Sequence, residues 1–271
     1  VDIVLGTGTS QSCLRLLTYI PRLAAADGVF DGYHPTLCPA SADAPDTLVP
    51  IVWGTSEWEA VATSRPDGPL LRVWEMAGTS HVNWWEGSFG GAQGFRDLTA
   101  VGGPALLPAT WDEDDAGQYG ERGSRNINLA PARYAFRAAV DHLSRWARDW
   151  KEFRAGVRPA DRIRPAPAAE RLSRTGFMLA RDGHGNALGG LRLPALDVPV
   201  ATYLGEQPNG TSGQTLAFDP MTVAGLYPTH EAYVARMRTA TNEAVALGFM
   251  LGADSPEWMG RVEASPIGGD W

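Results

Sequence analysis

The chain of 271 residues is long enough to bury a sizeable core, and its 44% hydrophobic and 20% charged residues are typical of a folded protein. A formal net charge of −8 argues against a nucleic-acid or anionic-membrane partner, because either would call for a basic face. No apolar run approaches the roughly 20 residues that a membrane-spanning helix needs. The two cysteines, Cys13 and Cys38, do not make a metal site, and their spacing leaves a disulfide and two buried thiols equally open.

The first 85 residues alternate between strand-like and helix-like patterns. Short apolar runs at 1–5, 48–53 and 70–74 are typical of buried strands in a parallel sheet. Between the first two runs, residues 10–20 carry leucines and an isoleucine at helical spacing and predict a helix. Strands separated by longer segments indicate an α/β fold.

The rest of the chain is less regular at first and then more helical. Residues 86–131 are rich in Gly, Asp and Pro and predict a long irregular excursion, whose acidic run at 112–115 we interpret as a solvated loop. Amphipathic spacing predicts a helix over 132–153. Residues 176–180 resemble a strand, and a helix with Thr229 as its N-cap is expected over about 229–250.

Ser10 stands where the first strand-like run gives way to the first helix. The pentapeptide Gly8-Thr9-Ser10-Gln11-Ser12 keeps the first glycine of a G-x-S-x-G nucleophile elbow and replaces the second by serine. A sharp strand-to-helix turn lifts a serine oxygen off the sheet and presents helix N-terminal N–H groups to an oxyanion. Ser10 is therefore a candidate nucleophile; a structural serine in an ordinary turn is the alternative.

The same glycines allow a second interpretation, which is dinucleotide binding. Gly6-Thr7-Gly8 after a strand is typical of the start of a G-x-G-x-x-G turn, and Asp31 lies near the distance expected for a ribose-binding acid. Position 11 is Gln instead of the third glycine, and no convincing strand ends at Asp31. The dinucleotide interpretation is the weaker of the two.

A nucleophilic serine requires a base and an orienting acid, and the sequence offers both in the order serine, acid, histidine. Glu57 and Glu59 follow the run at 48–53, and His81 follows the run at 70–74. We expect Glu57 to be the acid, with Glu59 as the alternative, because Gly-x-x-acid is the usual offset. The other histidines do not follow a strand in the required order; they are His34, His142, His184 and His230.

At these residues the sequence resembles a family of bacterial α/β-hydrolase-domain proteins. The stretches that carry the resemblance are 8–12, 29–32, 74–81, 185–194 and 198–203. The resemblance implies Ser10 as nucleophile, His81 as base and Glu57 as acid, with the backbone N–H of Gln11 as half of the oxyanion hole. The chain departs from the family pattern at Thr9 and Cys13, next to the serine.

The resemblance also sets the expected fold and function. It implies one α/β-hydrolase domain over residues 1–271: a triad-bearing core at 1–85, the loop at 86–131, and helices with a C-terminal signature at 132–271. Because the nucleophile strand would be the first strand, we expect this chain to hold the C-terminal portion of the fold, with a second polypeptide supplying the N-terminal half of the sheet.

The expected activity is hydrolysis of a small-molecule carboxylic ester through an acyl-enzyme, with no cofactor and no metal. Trp84 and Trp85, directly after His81, are candidate walls of the substrate pocket. A non-catalytic binding or scaffold chain that keeps the hydrolase fold is the alternative from another class.

Overall fold

The structure is a computed structural model, and it describes residues 2–40, 47–60, 65–82, 128–153, 163–170, 172, 178–205 and 213–268. Its centre is a sheet of four parallel strands in the order β1-β2-β3-β4. The strands are β1 (Leu5–Thr9), β2 (Gly32–Thr36), β3 (Ile51–Ser56) and β4 (Leu71–Met76). Since all four run in the same direction, their carboxyl ends meet at one edge of the sheet.

Two of the predicted strands lie close to the observed ones, whereas the first strand is displaced and one strand was missed. β1 begins at Leu5, so Gly6, Thr7 and Gly8 belong to the strand itself and not to a turn after it. β2 was not predicted, because Pro35 and a flanking glycine weaken its strand pattern. Ser10, Glu57 and His81 therefore follow the first, third and fourth strands rather than three successive ones.

The helices of the described residues are α1 (Gln11–Tyr19), which continues through a π-helical turn (Ile20–Ala24) into α2 (Ala25–Asp27), then α3 (Glu57–Ala60), α4 (Arg133–Phe153), α5 (Pro194–Asp197), α6 (Pro220–Leu226), α7 (His230–Leu247) and α8 (Ser255–Ala264). Of these, α1 and α4 pack on opposite faces of the parallel sheet, whereas α6, α7 and α8 share a cluster of their own. The predicted helices at 132–153 and 229–250 are confirmed as α4 and α7, and Thr229 caps α7 by accepting from the Ala232 N–H at 3.2 Å. No helix in the described ranges is both long and apolar enough to cross a membrane.

Side-chain alternation along the strands explains the layering. Val52, Trp74 and Met76 share a buried cluster with the small and aromatic residues of α4, on one face of the sheet. Trp53 and Val73, one residue along each strand, belong to a second cluster on the opposite face, packed against α1. A strand turns successive side chains to opposite faces, so both faces of this sheet are apolar and both need a helix.

The C-terminal region adds a two-stranded antiparallel sheet, β5 (Ala201–Leu204) and β6 (Gln214–Ala217). The stretch before it is joined to β4, because the Leu191 N–H donates to the Glu75 carbonyl at 2.7 Å. Gly190 is required there: its φ is +69°, and a Cβ would lie 2.6 Å from that carbonyl oxygen. The strand-like segment 176–180 is not a strand in its described part, where Ala180 bonds with Glu170 and Leu188 through single backbone contacts.

Candidate active site

The carboxyl edge of the parallel sheet brings the candidate residues together. Ser10 follows β1 directly, Glu57 and Glu59 lie on the short helix α3 after β3, and His81 lies five residues after β4 ends. Parallel α/β sheets place their functional groups at this edge because the loops there converge.

Ser10 sits at a strained turn between β1 and α1. Its φ of 56° and ψ of −118° lie outside the ordinary regions for a residue with a side chain, and its N–H donates to the Thr36 carbonyl at 3.0 Å. The strand and helix pass so closely that a Cβ on Gly8 would lie 2.7 Å from the Ser12 carbonyl oxygen. These contacts hold the Ser10 side chain at the tip of the turn, as in a nucleophile elbow.

The Ser10 hydroxyl contacts His81, and His81 contacts a carboxylate. Ser10 Oγ lies 2.7 Å from His81 Nε2, and His81 Nδ1 bonds with Glu59 Oε1 on its other side. The second oxygen of Glu59 accepts from both the N–H and the hydroxyl of Ser56, at 2.8 and 2.6 Å. The carboxylate is thus fully engaged although its side chain is only 2% exposed.

The expectation that Glu57 orients His81 is corrected by this geometry, which gives that contact to Glu59. The Glu57 carboxylate accepts from Gly78 N at 2.6 Å, from Gly205 N at 2.8 Å and from Arg181 Nη2 at 3.3 Å. The reason is local: residues 57–60 form a helical turn, so two residues two positions apart point in different directions and both can be buried.

The remaining three predicted site residues have different outcomes. Gln11 opens helix α1, whose first-turn N–H groups have no partner within the helix, so its position fits an oxyanion donor. Trp84 and Trp85 lie outside the described residues, as does the acidic run at 112–115.

A cavity of about 250 Å³ opens beside Ser10 and His81. It is mostly apolar, and its lining comprises Ser10, Gln11, Leu14, Leu37, Cys38, Pro39, Trp58, Glu59 and His81. Sequence reasoning missed Leu14, Leu37 and Trp58 here, because the lining comes from segments that are distant in the chain. No cluster of three potential metal ligands occurs within the described ranges.

A disulfide joins Cys13 of α1 to Cys38, which follows β2. The two residues lie close to the site, since Cys13 is three positions after Ser10 and Cys38 lines the cavity. The bridge resolves the alternative that the sequence left open, and it fastens the nucleophile helix to the loop that forms one cavity wall.

The dinucleotide interpretation is not supported by the positions of its residues. Gly6 and Gly8 lie inside β1, where a phosphate-binding turn would need them after the strand. Asp31 precedes β2, at the amino end of the sheet, and its carboxylate accepts from Val4 N at 2.8 Å and pairs with Lys151 Nζ at 3.1 Å. It is therefore at the opposite edge from Ser10.

A parallel sheet covered by helices on both faces, with a serine at a strained strand-to-helix turn, defines the α/β-hydrolase class. The family model described as alpha/beta hydrolase domain matches residues 1–260, and the chain belongs to that family. Neither the curated proteins nor the solved structures gave a match to this chain.

Proposed function

We propose that this chain is a serine hydrolase acting on small carboxylic esters, with Ser10 as nucleophile, His81 as general base and Glu59 as the acid that orients it. The observation that supports this most is the continuous Ser10–His81–Glu59 hydrogen-bonded series, with 2.7 Å between Ser10 Oγ and His81 Nε2. Nucleophile, base and orienting acid within hydrogen-bond reach are the geometric signature of covalent acyl transfer.

The proposed roles require one arrangement of the protons. Glu59 as a carboxylate can only accept, so His81 Nδ1 carries its hydrogen and Nε2 presents a lone pair to the Ser10 hydroxyl. His81 Nε2 then takes the Ser10 proton as Oγ bonds to the ester carbonyl carbon. The oxyanion that forms accepts a hydrogen bond from the Gln11 N–H.

The tetrahedral intermediate collapses when His81 returns the proton to the leaving alcohol oxygen, which leaves an acyl-Ser10 ester. A water molecule then loses a proton to His81 and attacks the acyl carbon, and His81 protonates Ser10 Oγ as the acid departs. The net change is ester and water to acid and alcohol, with the enzyme restored.

A fluorophosphonate probe with intact-mass readout tests the proposal. We expect one adduct on the wild-type chain, none on Ser10→Ala, and strongly slowed labelling of His81→Ala. Ser12→Ala is the matched control, because Ser12 is an exposed serine two residues away and should label as the wild type does. Absence of an adduct on Ser10 in the folded wild type contradicts the hydrolase proposal and favours the non-catalytic alternative.

We also propose that a second polypeptide covers the outer edge of β1 and supplies a second oxyanion N–H. In the part of the chain that the structure describes, β1 pairs with β2 on one side and with no strand on the other. An open parallel edge leaves a row of backbone donors and acceptors available for pairing. Native mass spectrometry of the active protein should find a species heavier than one chain; full activity at the mass of one chain contradicts this part of the proposal.

A further inference from the structure

The loop that carries His81, residues 77–82 (the histidine loop), is fixed by two buried side chains from outside it. The Gly78 N–H donates to Glu57 Oε1 at 2.6 Å, and the Gly78 carbonyl accepts from Asn128 Nδ2 at 2.7 Å. The Glu57 N–H also donates to the Thr79 carbonyl at 3.0 Å. The backbone is thus held on both sides of Gly78, three residues before the base.

The same two side chains reach the end of β5. Gly205 N donates to Glu57 Oε2 at 2.8 Å, and Asn128 Nδ2 also lies 3.2 Å from the Leu204 carbonyl. The approach is so close that a Cβ on Gly205 would lie 1.8 Å from the Thr79 carbonyl oxygen. Glu57 and Asn128 therefore connect the histidine loop to the C-terminal two-stranded sheet.

The burial of Glu57 requires that its carboxylate oxygens be hydrogen-bonded. The Glu57 side chain is 1% exposed, and a buried carboxylate is tolerated only when its oxygens receive donors. Two backbone N–H groups and the Arg181 guanidinium provide them. Each donor belongs to a different segment of the chain. The hydrogen bonds that satisfy the carboxylate therefore also fix the distances between those segments.

We propose that Glu57 is a positioning residue: by holding Gly78 against the end of β5, with Asn128 as its counterpart, it sets the place of His81 relative to Ser10. The catalytic consequence rests on the proposed function. Displacing a base by about 1 Å costs on the order of 10²-fold in rate, so loss of the carboxylate should lower kcat and leave KM nearly unchanged.

Glu57→Gln is the first test, because it replaces one acceptor by an NH₂ group that faces a backbone N–H. Glu75→Gln is the matched control: Glu75 is also buried, at 4% exposure, lies on β4 of the same sheet, and accepts from Ala169 N at 2.7 Å. With p-nitrophenyl acetate we expect kcat to fall about 100-fold in Glu57→Gln, with KM within about twofold of wild type. Glu75→Gln should lower the melting temperature but keep kcat.

Two results would overturn the proposal: a Glu57→Gln variant that keeps wild-type kcat, or equal losses of kcat in both variants. If Glu57→Gln does not fold, Asn128→Ala takes its place, since it removes the donor to the Gly78 carbonyl and keeps the carboxylate. The same loss of kcat is expected there, and an unchanged kcat would equally overturn the proposal.

A second measurement is independent of turnover. In ¹⁵N-histidine-labelled protein, the low-field Nδ1 proton of His81, assigned with His81→Ala, reports its bond to Glu59. We expect Glu57→Gln to shift or broaden this signal and Glu75→Gln to leave it in place. If the wild type shows neither turnover nor a fluorophosphonate adduct, the proposed function fails, whereas an unmoved signal in Glu57→Gln refutes the positioning role.

Discussion

Ser10 is both the proposed nucleophile and a residue with an unfavourable backbone conformation. With φ at 56°, any residue with a Cβ is strained there, and such strain costs about 1–3 kcal/mol. Glycine has no Cβ to strain, although it adds entropy to the unfolded chain. We therefore expect Ser10→Gly to be more stable than Ser10→Ala by about 1 kcal/mol in urea unfolding, with both variants inactive. An alanine variant as stable as the glycine variant would show that the turn is unstrained.

The two oxygens of Glu59 have different tasks, which makes Glu59→Gln informative. Ser56 donates twice to Oε2, so a glutamine is expected to keep its carbonyl there and turn its NH₂ toward His81 Nδ1. That NH₂ can only donate, so it forces the hydrogen onto Nε2, and His81 can no longer accept the Ser10 proton. We expect kcat to fall by roughly 10³–10⁴.

Ser56→Ala is the control for that variant, because it removes one donor to Oε2 and leaves the carboxylate in place. Its kcat should stay within about tenfold of wild type. If Glu59→Gln itself stays within that range, Glu59 is not the orienting acid.

His34, buried in β2, links stability to pH. Its Nδ1 donates to the Val52 carbonyl at 2.6 Å, and burial lowers its pKa from 6.5 to about 4, because the cation would be desolvated. Between about pH 6.5 and pH 4, His34 is therefore protonated in the unfolded chain and neutral in the folded chain. The stability is complete above about pH 6.5 and is lost as the pH falls toward 4, by on the order of 3 kcal/mol.

His34→Asn should flatten this acid limb, since its amide does not titrate. Urea unfolding at several pH values between 4 and 7 measures the slope, and His184→Gln, at an exposed histidine, is the control. A wild-type slope that persists in His34→Asn would mean that other groups account for the acid sensitivity.

Among the elements, α1 depends on the disulfide for its attachment near the site. The bridge closes a separation of 25 residues, for which the loop-entropy relation gives about 3.5 kcal/mol. We expect Cys13→Ala/Cys38→Ala to lower the free energy of unfolding by about that amount and the melting temperature with it. Equal melting temperatures for the double variant and the oxidised wild type would contradict this.

The elements also show why sequence reasoning succeeded in some places and failed in others. The helix at 132–153 has a long apolar periodicity and was predicted nearly to the residue, as was the helix after Ser10, whereas the strand before it was placed four residues too early. β2 was missed because Pro35 interrupts its pattern, although it lies at the middle of the sheet. The choice between Glu57 and Glu59 depended on a single helical turn of four residues, too short to leave a periodicity.

At the scale of the whole molecule, the cavity depends on contacts that no local pattern encodes. Leu14 comes from α1, Leu37 from the end of β2 and Trp58 from α3, so the lining exists only once the strands have paired. Leu37 even takes a φ of +52°, which a branched residue adopts only where surrounding contacts impose it. The sequence could therefore indicate the chemistry of the site without indicating the size of its pocket.

That size leads to a prediction about substrate length. A cavity of about 250 Å³ lies below the usual 300–1,000 Å³ of small-molecule sites, so it suits a short acyl chain. We expect kcat/KM to be higher for p-nitrophenyl butyrate than for the octanoate. Trp58→Ala should raise the octanoate-to-butyrate ratio about tenfold, because it lengthens the apolar pocket. Trp150→Ala is the control, because Trp150 lies on α4, does not line the cavity and donates to the Leu48 carbonyl at 2.9 Å. This variant should leave the ratio unchanged. Each methylene buried in a pocket contributes about 0.8 kcal/mol, so the octanoate is preferred only if its longer chain is buried. A wild type that already prefers octanoate would therefore show that the acyl chain binds outside this cavity.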